Sequence, residues 1–417
     1  MNGPVDLFPE VLIIGGGPAG LTAAATLAPR VGGLVLVLDR ESAAGGIPRH
    51  SDHPGYGIRD MKRFMSGPAY AKRLVSNALN AGAKIQTQTM VTGWTDRRTV
   101  EITSPSGRQH VQARAIILAT GARERPRPAR LIPGDRPAGV YTTGYLQNLV
   151  HLHHQSPGTR AVIVGAELVS WSAALTLREA RCRPVLMISA HPAPEAYAAL
   201  TIPGRLALRV PVATRTRLTR IIGHGRVSGV EIENLDTHTR RTIDCDTVVL
   251  TGDWIPDSEL ARTANLEIDP NTRGPLIDTR QATSISGVFA IGNLAHPVDT
   301  ADVAALDGRA VAQHVLAELY DPTLAPAVPG PRILPGKHLR WITPGILNPA
   351  AKPPRRRLLA WPRTRFNLPT ITVTQADHIL DRHRLPWPAS PGRALRIPSS
   401  ILSGIRSDGG AITIGLE

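Results

Sequence analysis

Short apolar runs alternate with segments of helical character along most of this 417-residue chain. Val11–Ile14 is a continuous apolar run, an alanine-rich segment follows from Pro18, and residues 34–38 form the next apolar run. Continuous apolar strands joined by helices are typical of parallel sheets that are buried on both faces. The pattern predicts an α/β fold, with a second strand-helix-strand unit of the same kind beginning near residue 161.

Other segments follow different patterns. Residues 85–119 alternate apolar and polar positions with turns between, which predicts a β-meander. Residues 123–137 are too rich in Pro and Arg for a helix or a central strand, and we interpret them as a connection between domains. A helix is predicted from about residue 302 to 319. Short strands at 370–373 and 411–414 predict a small β-rich appendage.

The first unit carries an intact dinucleotide-binding fingerprint. Gly15, Gly17 and Gly20 follow the first apolar run with the spacing GxGxxG. The first glycine makes the tight turn, the second lets the backbone approach a pyrophosphate, and the third lets the helix pack closely on its strand. Asp39 ends the next apolar run, at the spacing expected of an acid that binds a ribose. Strand, helix and acid together predict a bound dinucleotide.

Three further segments indicate which dinucleotide is bound. The pair Gly45-Gly46, the sequence AIILATG at 115–121 and the sequence GVFAIGN at 287–293 together resemble the FAD-binding set of the thioredoxin-reductase-like flavoproteins. In that group the residue after the late glycine is usually Asp and binds the ribityl chain; here it is Asn293, whose amide can still hydrogen-bond a hydroxyl. The FAD contacts that the resemblance implies are Gly15, Gly17, Pro18, Ala19, Gly20, Asp39, Arg40, Gly45, Gly46, Ile47, Val91, Ala119, Thr120, Gly121, Gly292, Asn293, Asp302 and Val303.

The second fingerprint is degenerate. Gly165 keeps the turn, but Glu167 stands where the backbone should approach a pyrophosphate, and Ser170 stands at the packing position. A carboxylate there adds like-charge repulsion to steric bulk. The next strand ends at residues 189–191 without an acid for an NAD ribose or an arginine cluster for an NADP phosphate. We therefore predict that NAD(P)H does not bind productively; a divergent loop that still binds it is the alternative.

The loop after the Gly-Gly pair is the candidate for substrate chemistry. Residues 45–57 read GGIPRHSDHPGYG and concentrate Arg49, His50, Asp52 and His53 within five positions. A His can act as acid or base near neutral pH, and an Arg can bind a carboxylate or phosphate. We predict His53 as the main catalytic residue, together with His50 and Arg49. The alternative is that they are solvated loop residues that merely orient one another.

The residues of this loop, and the sequence up to about residue 320, resemble a smaller group of flavoproteins. It is similar to bacterial FAD subunits that are encoded with glycerol-3-phosphate-dehydrogenase-like partners, and to flavoprotein subunits of opine, hydroxyproline and sarcosine dehydrogenases and of hydrogen cyanide synthase. Some of these relatives have a Cys where this chain has Ser51, and some carry iron–sulfur cysteines that are absent here. Electron exit through such a cluster therefore requires a partner that supplies it.

The resemblance and the patterns together predict two Rossmann-like domains with a small β-rich C-terminal appendage. Residues 1–122 and 254–320 are expected to form the FAD-binding domain in two parts. Residues 123–253 are expected to form an NAD(P)-like domain with the degenerate fingerprint. Residues 321–336 are a predicted Pro-rich linker, and 337–417 a small basic C-terminal domain for docking or contact with another subunit.

Cysteines and the remaining histidine cluster indicate no further chemistry. The chain has two cysteines, Cys182 and Cys245, with no CxxC pair and no spacing for a metal or iron–sulfur cluster. Thiol–disulfide exchange, which needs a redox pair beside the flavin, is therefore not expected. His151, His153 and His154 precede Pro157 at a predicted domain edge, and we predict them at the surface.

Bulk properties restrict the partners. The formal charge is +15, and residues 331–417 hold 14 Lys and Arg against 4 Asp and Glu. The basic residues are mostly scattered Arg among prolines, without a nucleic-acid-binding motif, so compositional bias is favoured over nucleic-acid binding. No apolar run is long enough to span a bilayer, and no signal peptide is recognised, which predicts a cytoplasmic protein.

Three functions remain open from the sequence. The first is a FAD-dependent dehydrogenase or electron-transfer subunit that acts on a small amine, amino acid or polyol phosphate, alone or with a partner oxidoreductase or iron–sulfur subunit. The second is a stand-alone NAD(P)H-dependent flavin oxidoreductase, which the degenerate fingerprint disfavours. The third is a mainly structural FAD-binding subunit of a complex.

Overall fold

The computed structural model describes residues 7–197, 204, 206–321 and 330–417. The elements up to residue 124 are the helices α1 (Pro18–Leu27) and α2 (Gly67–Asn80) and the strands β1 (Val11–Ile14), β2 (Val35–Leu38), β3 (Pro54–Tyr56), β4 (Met65–Ser66), β5 (Lys84–Gln86), β6 (Met90–Asp96), β7 (Thr99–Ser104), β8 (Gly107–Gln112), β9 (Ala115–Leu118) and β10 (Ala122–Glu124).

The middle of the chain is also mixed α/β. Its elements are the helices α3 (Thr143–Gln147) and α4 (Leu168–Glu179) and the strands β11 (Val140–Thr142), β12 (Arg160–Val164), β13 (Arg183–Ile188), β14 (Val212–Ala213), β15 (Thr216–His224), β16 (Arg226–Asn234), β17 (Arg240–Asp244) and β18 (Thr247–Leu250).

The last part of the chain first returns to the N-terminal unit and then forms mainly strands. Its elements are the helices α5 (Glu259–Thr263) and α6 (Ala301–Tyr320) and the strands β19 (Trp254–Pro256), β20 (Val288–Ala290), β21 (Ile333–Pro335), β22 (Leu339–Thr343), β23 (Arg357–Pro362), β24 (Thr370–Gln375), β25 (His378–Arg384), β26 (Leu395–Pro398) and β27 (Ile412–Leu416).

The N-terminal unit is a parallel sheet buried on both faces. Its strand order is β20-β9-β1-β2-β5, so a strand from residue 288 onward pairs with strands of the first 120 residues. Alternate residues of β1 explain the two faces: Val11 and Ile13 pack with α1, α2 and α6, whereas Leu12 and Ile14 pack toward the meander β6-β7-β8. The continuous apolar run therefore needs both layers to be buried.

The second unit repeats this plan. Its parallel sheet has the order β11-β18-β12-β13-β14, and an antiparallel sheet β15-β16-β17 packs beside it. The two chain crossings between the units pair with each other as the antiparallel strands β10 and β19. The predicted fold class, two Rossmann-like units with a β-rich appendage, is confirmed.

The appendage consists of two sheets, β21-β27-β24-β25 and β22-β23-β26, which share one apolar core. Leu358, Ile371 and Ile397 lie in this core and are fully buried. β21 lies inside the predicted linker at 321–336, and residues 322–329 of that linker lie outside the described residues. Within the described ranges, no helix combines the length and apolar character needed to cross a membrane.

Candidate functional site

Two of the three glycines of the first turn have no room for a side chain. A Cβ at Gly15, where φ is +115°, would lie 2.4 Å from the carbonyl oxygen of Ala119. A Cβ at Gly20 would lie 2.0 Å from the carbonyl oxygen of Gly15. Gly15 therefore allows β1 to approach the end of β9, and Gly20 allows α1 to pack on its own turn, as the fingerprint predicts.

The N-terminus of α1 is open to an anion. Gly17 is its N-cap residue, Pro18 follows, and no described side chain caps the helix. The space next to Gly17 is a shallow cradle, because the nearest atom to an added Cβ is the Cα of Gly46, at 4.0 Å. Free N–H groups, the positive end of the helix dipole and a glycine-lined approach fit a pyrophosphate.

Asp39 lies beside this turn and takes part in holding it. Its Oδ2 accepts a hydrogen bond from the Gly16 N–H at 3.0 Å, and its Oδ1 accepts one from the Glu41 N–H at 2.9 Å. Burial raises the pKa of Asp39 above its usual value, and these two backbone hydrogen bonds oppose the increase. Each carboxylate oxygen has a second lone pair, so the side chain can still accept from a ribose hydroxyl.

The other residues predicted to bind FAD fall into two groups. Ile47 is 42% exposed beside the Gly45-Gly46 pair. Arg40 is exposed and lies 3.4 Å from Asp257, and the hydroxyl of Thr120, between Ala119 and Gly121, donates to the carbonyl of the same Asp257. These residues gather at the carboxyl ends of β1, β2 and β9, where ligands bind in open parallel sheets.

The predicted FAD contacts of the second group already interact with other residues of the protein or are buried in its core. Asn293, after Gly292, accepts from the backbone N–H of Asp299 and donates to its carbonyl. Asp302 is buried and pairs with Arg59 at 3.2 Å. The side chains of Val91 and Val303 are buried in the apolar core. At these last two positions only the backbone can contact a cofactor, which the sequence motif alone could not show.

The second glycine turn is closed by its own side chains. Glu167 is the N-cap of α4. Its N–H donates to the Ser170 hydroxyl at 3.2 Å, and the Ser170 N–H donates to the Glu167 carbonyl oxygen at 3.1 Å. Thr251 donates to Glu167 Oε1 at 3.1 Å. The carboxyl group lies within the turn, because a Cβ at Gly165 would lie 3.3 Å from Glu167 Oε1, and it therefore fills space that a pyrophosphate would need.

Charge repulsion, the obstacle expected from the sequence, is weakened at this turn. Burial, and then the neighbouring Glu195, raise the pKa of Glu167 to about 8, so the group is largely protonated at neutral pH. The obstacle to an anion is instead steric, since the carboxyl group itself fills the turn whether or not it is charged.

Two further segments cover the same turn. The backbone N–H groups of Glu195 and Ala196 donate to the carbonyl of Ala166, and Glu195 Oε1 accepts from Ser189, the residue at the predicted ribose position. From the appendage, Gly392 is in contact with both acids: a Cβ there would lie 2.6 Å from Glu195 Cβ and 3.2 Å from Glu167 Cβ. Arg393 stacks on the ring of Tyr197 at 4.3 Å.

The loop predicted to carry catalysis packs against the second unit. Arg49 donates to the carbonyl of Ala43 and lies 3.6 Å from Glu41. His50 is half-buried; burial lowers its pKa to about 4, so its ring is neutral near pH 7. The His50 Nδ1 is buried and has no hydrogen-bond partner among the described residues.

His53 belongs to a hydrogen-bonded chain. Its Nε2 lies 3.1 Å from Ser51 Oγ, and its Nδ1 lies 2.9 Å from the Pro54 carbonyl oxygen. The ring of His53 packs against Tyr56, with 5.3 Å between ring centroids. Burial lowers the pKa of His53, so the neutral ring, which can accept a proton, predominates near pH 7.

The sequence did not indicate the side chains that meet this loop. Gln147, on α3, donates to Ser51 Oγ at 3.1 Å and to Ser172 Oγ, on α4, at 2.7 Å. The surface predicted for the histidine cluster is found for His153 and His154, which are exposed, but not for His151, whose side chain is 13% exposed and bonds with Thr176 at 3.3 Å. Helical spacing could have indicated that Gln147 and Ser172 are buried, but nothing in the sequence indicated that they meet Ser51.

The chain resembles known flavoproteins in both sequence and structure. A model of the pyridine nucleotide-disulphide oxidoreductase family matches residues 9–308. One of the subunits of opine oxidase from Rhizobium meliloti (strain 1021) is 28% identical over 341 residues, covering 75% of this chain and 72% of the relative. Thioredoxin reductase from Treponema pallidum (strain Nichols) is 26% identical over 315 residues, covering 75% and 97%.

The fold is also similar to that of a solved structure. The crystal structure of the thioredoxin reductase from T. acidophilum superposes with a TM-score of 0.64 at 23% identity, covering 75% of this chain and 99% of that one. The predicted resemblance is confirmed, and the open first turn fits the FAD of this family. The chemistry that FAD supplies when bound is hydride acceptance by its flavin ring. The chain therefore belongs to the pyridine nucleotide-disulphide oxidoreductase family and is an FAD-dependent oxidoreductase.

Proposed function

We propose that this oxidoreductase takes electrons from a small amine, amino acid or polyol phosphate, or from a partner protein that oxidises one, and not from NAD(P)H. The observation that carries the proposal is the Glu167 carboxyl group on the N-terminus of α4. A nicotinamide dinucleotide would need the same space for its pyrophosphate. The relatives named as subunits of opine oxidase support an amine or amino-acid donor and a partner protein.

The proposal also excludes thiol–disulfide chemistry. Cys182 and Cys245 are the only cysteines of the chain, and both are buried. Burial raises the pKa of each thiol to about 11, which leaves almost no reactive thiolate near pH 7. The two side chains also belong to different apolar clusters of the second unit.

In this proposal FAD lies at the open first turn and the substrate reacts beside the loop of residues 45–57. Gly17, Asp39 and Gly46 are assigned to the cofactor. His53 is assigned as the base that accepts the substrate proton, and a small anionic substrate group can be held by Arg49. These assignments keep the residues that the sequence predicts for the site.

Anaerobic flavin bleaching tests the proposal. The holoprotein is mixed in turn with NADH, NADPH, amino acids, N-alkylated amino acids and polyol phosphates, alone and with any protein that co-purifies. We expect bleaching by a member of the last three classes, at a rate that falls at least about tenfold in His53→Gln. Rapid bleaching by NADH or NADPH would overturn the proposal and favour the stand-alone reductase.

A further inference from the structure

The second Rossmann-like unit contributes polar side chains to the predicted catalytic loop. Gln147, Ser51 and Ser172 are all less than 8% exposed, and they form a chain of hydrogen bonds between the two units. Burying three polar side chains at a contact between helices and a loop costs free energy unless each finds a partner. Here each does, and the chain ends at His53.

The donor and acceptor roles along this chain of hydrogen bonds follow from the groups at its two ends. The Pro54 carbonyl can only accept, so the His53 Nδ1 must carry a hydrogen. In the neutral ring Nε2 then has a lone pair, and its neighbour Ser51 must donate to it. Ser51 can do so because its oxygen accepts from the Gln147 Nε2.

We propose that Gln147 and Ser51 are positioning residues that hold His53 in its Nδ1–H tautomer, with the Nε2 lone pair directed at the Ser51 hydroxyl. The unit that has lost its nucleotide site thereby sets the protonation state of a residue on the FAD unit. The inference rests on the proposed function only for the use of His53 as a base; the tautomer itself does not depend on it.

The same hydrogen-bonded side chains can also accommodate the protonated ring of His53. When Nε2 takes a proton it becomes a donor, so the Ser51 hydroxyl must turn its own hydrogen elsewhere. The Tyr56 hydroxyl lies within hydrogen-bonding reach of Ser51 and can accept it. The other titratable groups that face His53 are Asp52 on its own loop, Glu179 on α4 and His151 after α3.

Replacing the Gln147 amide by a carboxylate reverses the donor and acceptor roles along the chain of hydrogen bonds. In Gln147→Glu the new side chain accepts from Ser51, so Ser51 can no longer donate to His53, and a hydrogen on Nε2 is favoured. We expect the pKa of His53 to rise by about 1 unit or more. The pKa and tautomer are measured by NMR on protein with ¹⁵N-labelled histidine, with the His53 signals assigned from His53→Gln.

Three further variants make the test independent of the buried carboxylate. Ser51→Ala removes the donor to Nε2, so a smaller rise of about half a unit is expected, and Ser51→Thr should restore the original value because it retains the hydroxyl. Gln155→Glu adds the same charge at an exposed position nearby and should leave His53 unchanged.

The outcomes separate the two proposals. An unchanged His53 pKa and tautomer in Gln147→Glu, or in Ser51→Ala if the former does not fold, overturns the inference. A shifted pKa together with normal flavin bleaching in His53→Gln supports the inference and removes His53 from the proposed reaction. A shifted pKa with slow bleaching supports both.

Discussion

The turns that begin α1 and α4 have the same position in two similar units, but their helix N-termini differ in one respect. At α1 the N-cap is Gly17, which leaves the backbone donors free for a ligand. At α4 the N-cap is Glu167, whose carboxyl group fills the space beside the turn. Two units with the same strands and helices can therefore differ at this turn through a single side chain.

The covering of the second turn extends this difference. Glu195 from the following loop and Gly392 from the appendage lie against Glu167, so two segments outside the turn cover it. At the same time the second unit contributes Gln147, which also bonds with Ser172, to the loop of the first unit. The second unit therefore combines a filled turn with a contact to the first unit.

Introducing a glutamate at the first turn, as at the second, should have the largest effect, and that effect is on FAD binding. In Gly17→Glu the carboxyl group is expected to fill the cradle beside Gly46, as Glu167 fills the second turn. We expect FAD content to fall at least about tenfold, because the pyrophosphate loses its space. The ratio of visible flavin absorbance to protein absorbance measures this.

Glu167→Gly is the matched control for that variant, since it changes the other turn by the reverse substitution. It should retain the full FAD content. Full FAD content in Gly17→Glu would contradict the assignment of the first turn to the cofactor.

Disturbing the contact between the appendage and the second turn should have a smaller effect. This effect is on the stability of the protein. In Gly392→Val the added Cβ would lie 2.6 Å from Glu195 Cβ, at a residue whose φ of +81° favours glycine. We expect a loss of about 2–3 kcal/mol in the free energy of unfolding. Denaturant unfolding measures it. Gly404→Val is the control, because nothing lies within 4 Å of its Cβ position; an equal loss in both variants would show that Gly392 does not seal the turn.

The pH dependence of stability reports on Glu167 alone and should give the smallest effect. The pKa of Glu167 is about 8 in the folded protein and about 4.5 when unfolded, so the folded state binds this proton more tightly. Stability from this group is present below about pH 4.5 and is lost as pH rises toward about 8. Gln does not titrate, so Glu167→Gln should gain on the order of 2 kcal/mol relative to wild type between about pH 6 and pH 7.5.

Thermal unfolding of the two proteins at several pH values measures this gain. Glu259→Gln, which changes an exposed carboxylate, should show no comparable trend. A constant difference between Glu167→Gln and wild type across this range would mean that Glu167 is not buried at the turn.

The fold could be predicted largely from local patterns. Val11–Ile14 is the strand that its apolar run predicts, and the helix expected near 302–319 spans Ala301–Tyr320. The appendage strands at 370–373 and 411–414 also correspond to Thr370–Gln375 and Ile412–Leu416. Such elements are predictable because burial periodicity and turn residues act over a few neighbouring positions.

The candidate site could be predicted only in part. The glycines of both turns and the loop with His53 are visible as short motifs, but the partners of that loop are not. Gln147 and Ser51 are separated by 96 positions, and Gly392 lies far along the chain from Glu167. Neither pairing follows a periodic pattern, because each depends on how complete units pack against one another.

Short motifs were enough to establish that this protein has one intact and one degenerate dinucleotide turn, since a glycine or its absence changes what the backbone can approach. The state of each turn depends on the folded chain. Folding buries Glu167, so that its pKa rises and its carboxyl group fills a helix N-terminus. Folding also brings Gln147 to Ser51, because hydrogen bonds and desolvation depend on distances between residues that are far apart along the chain.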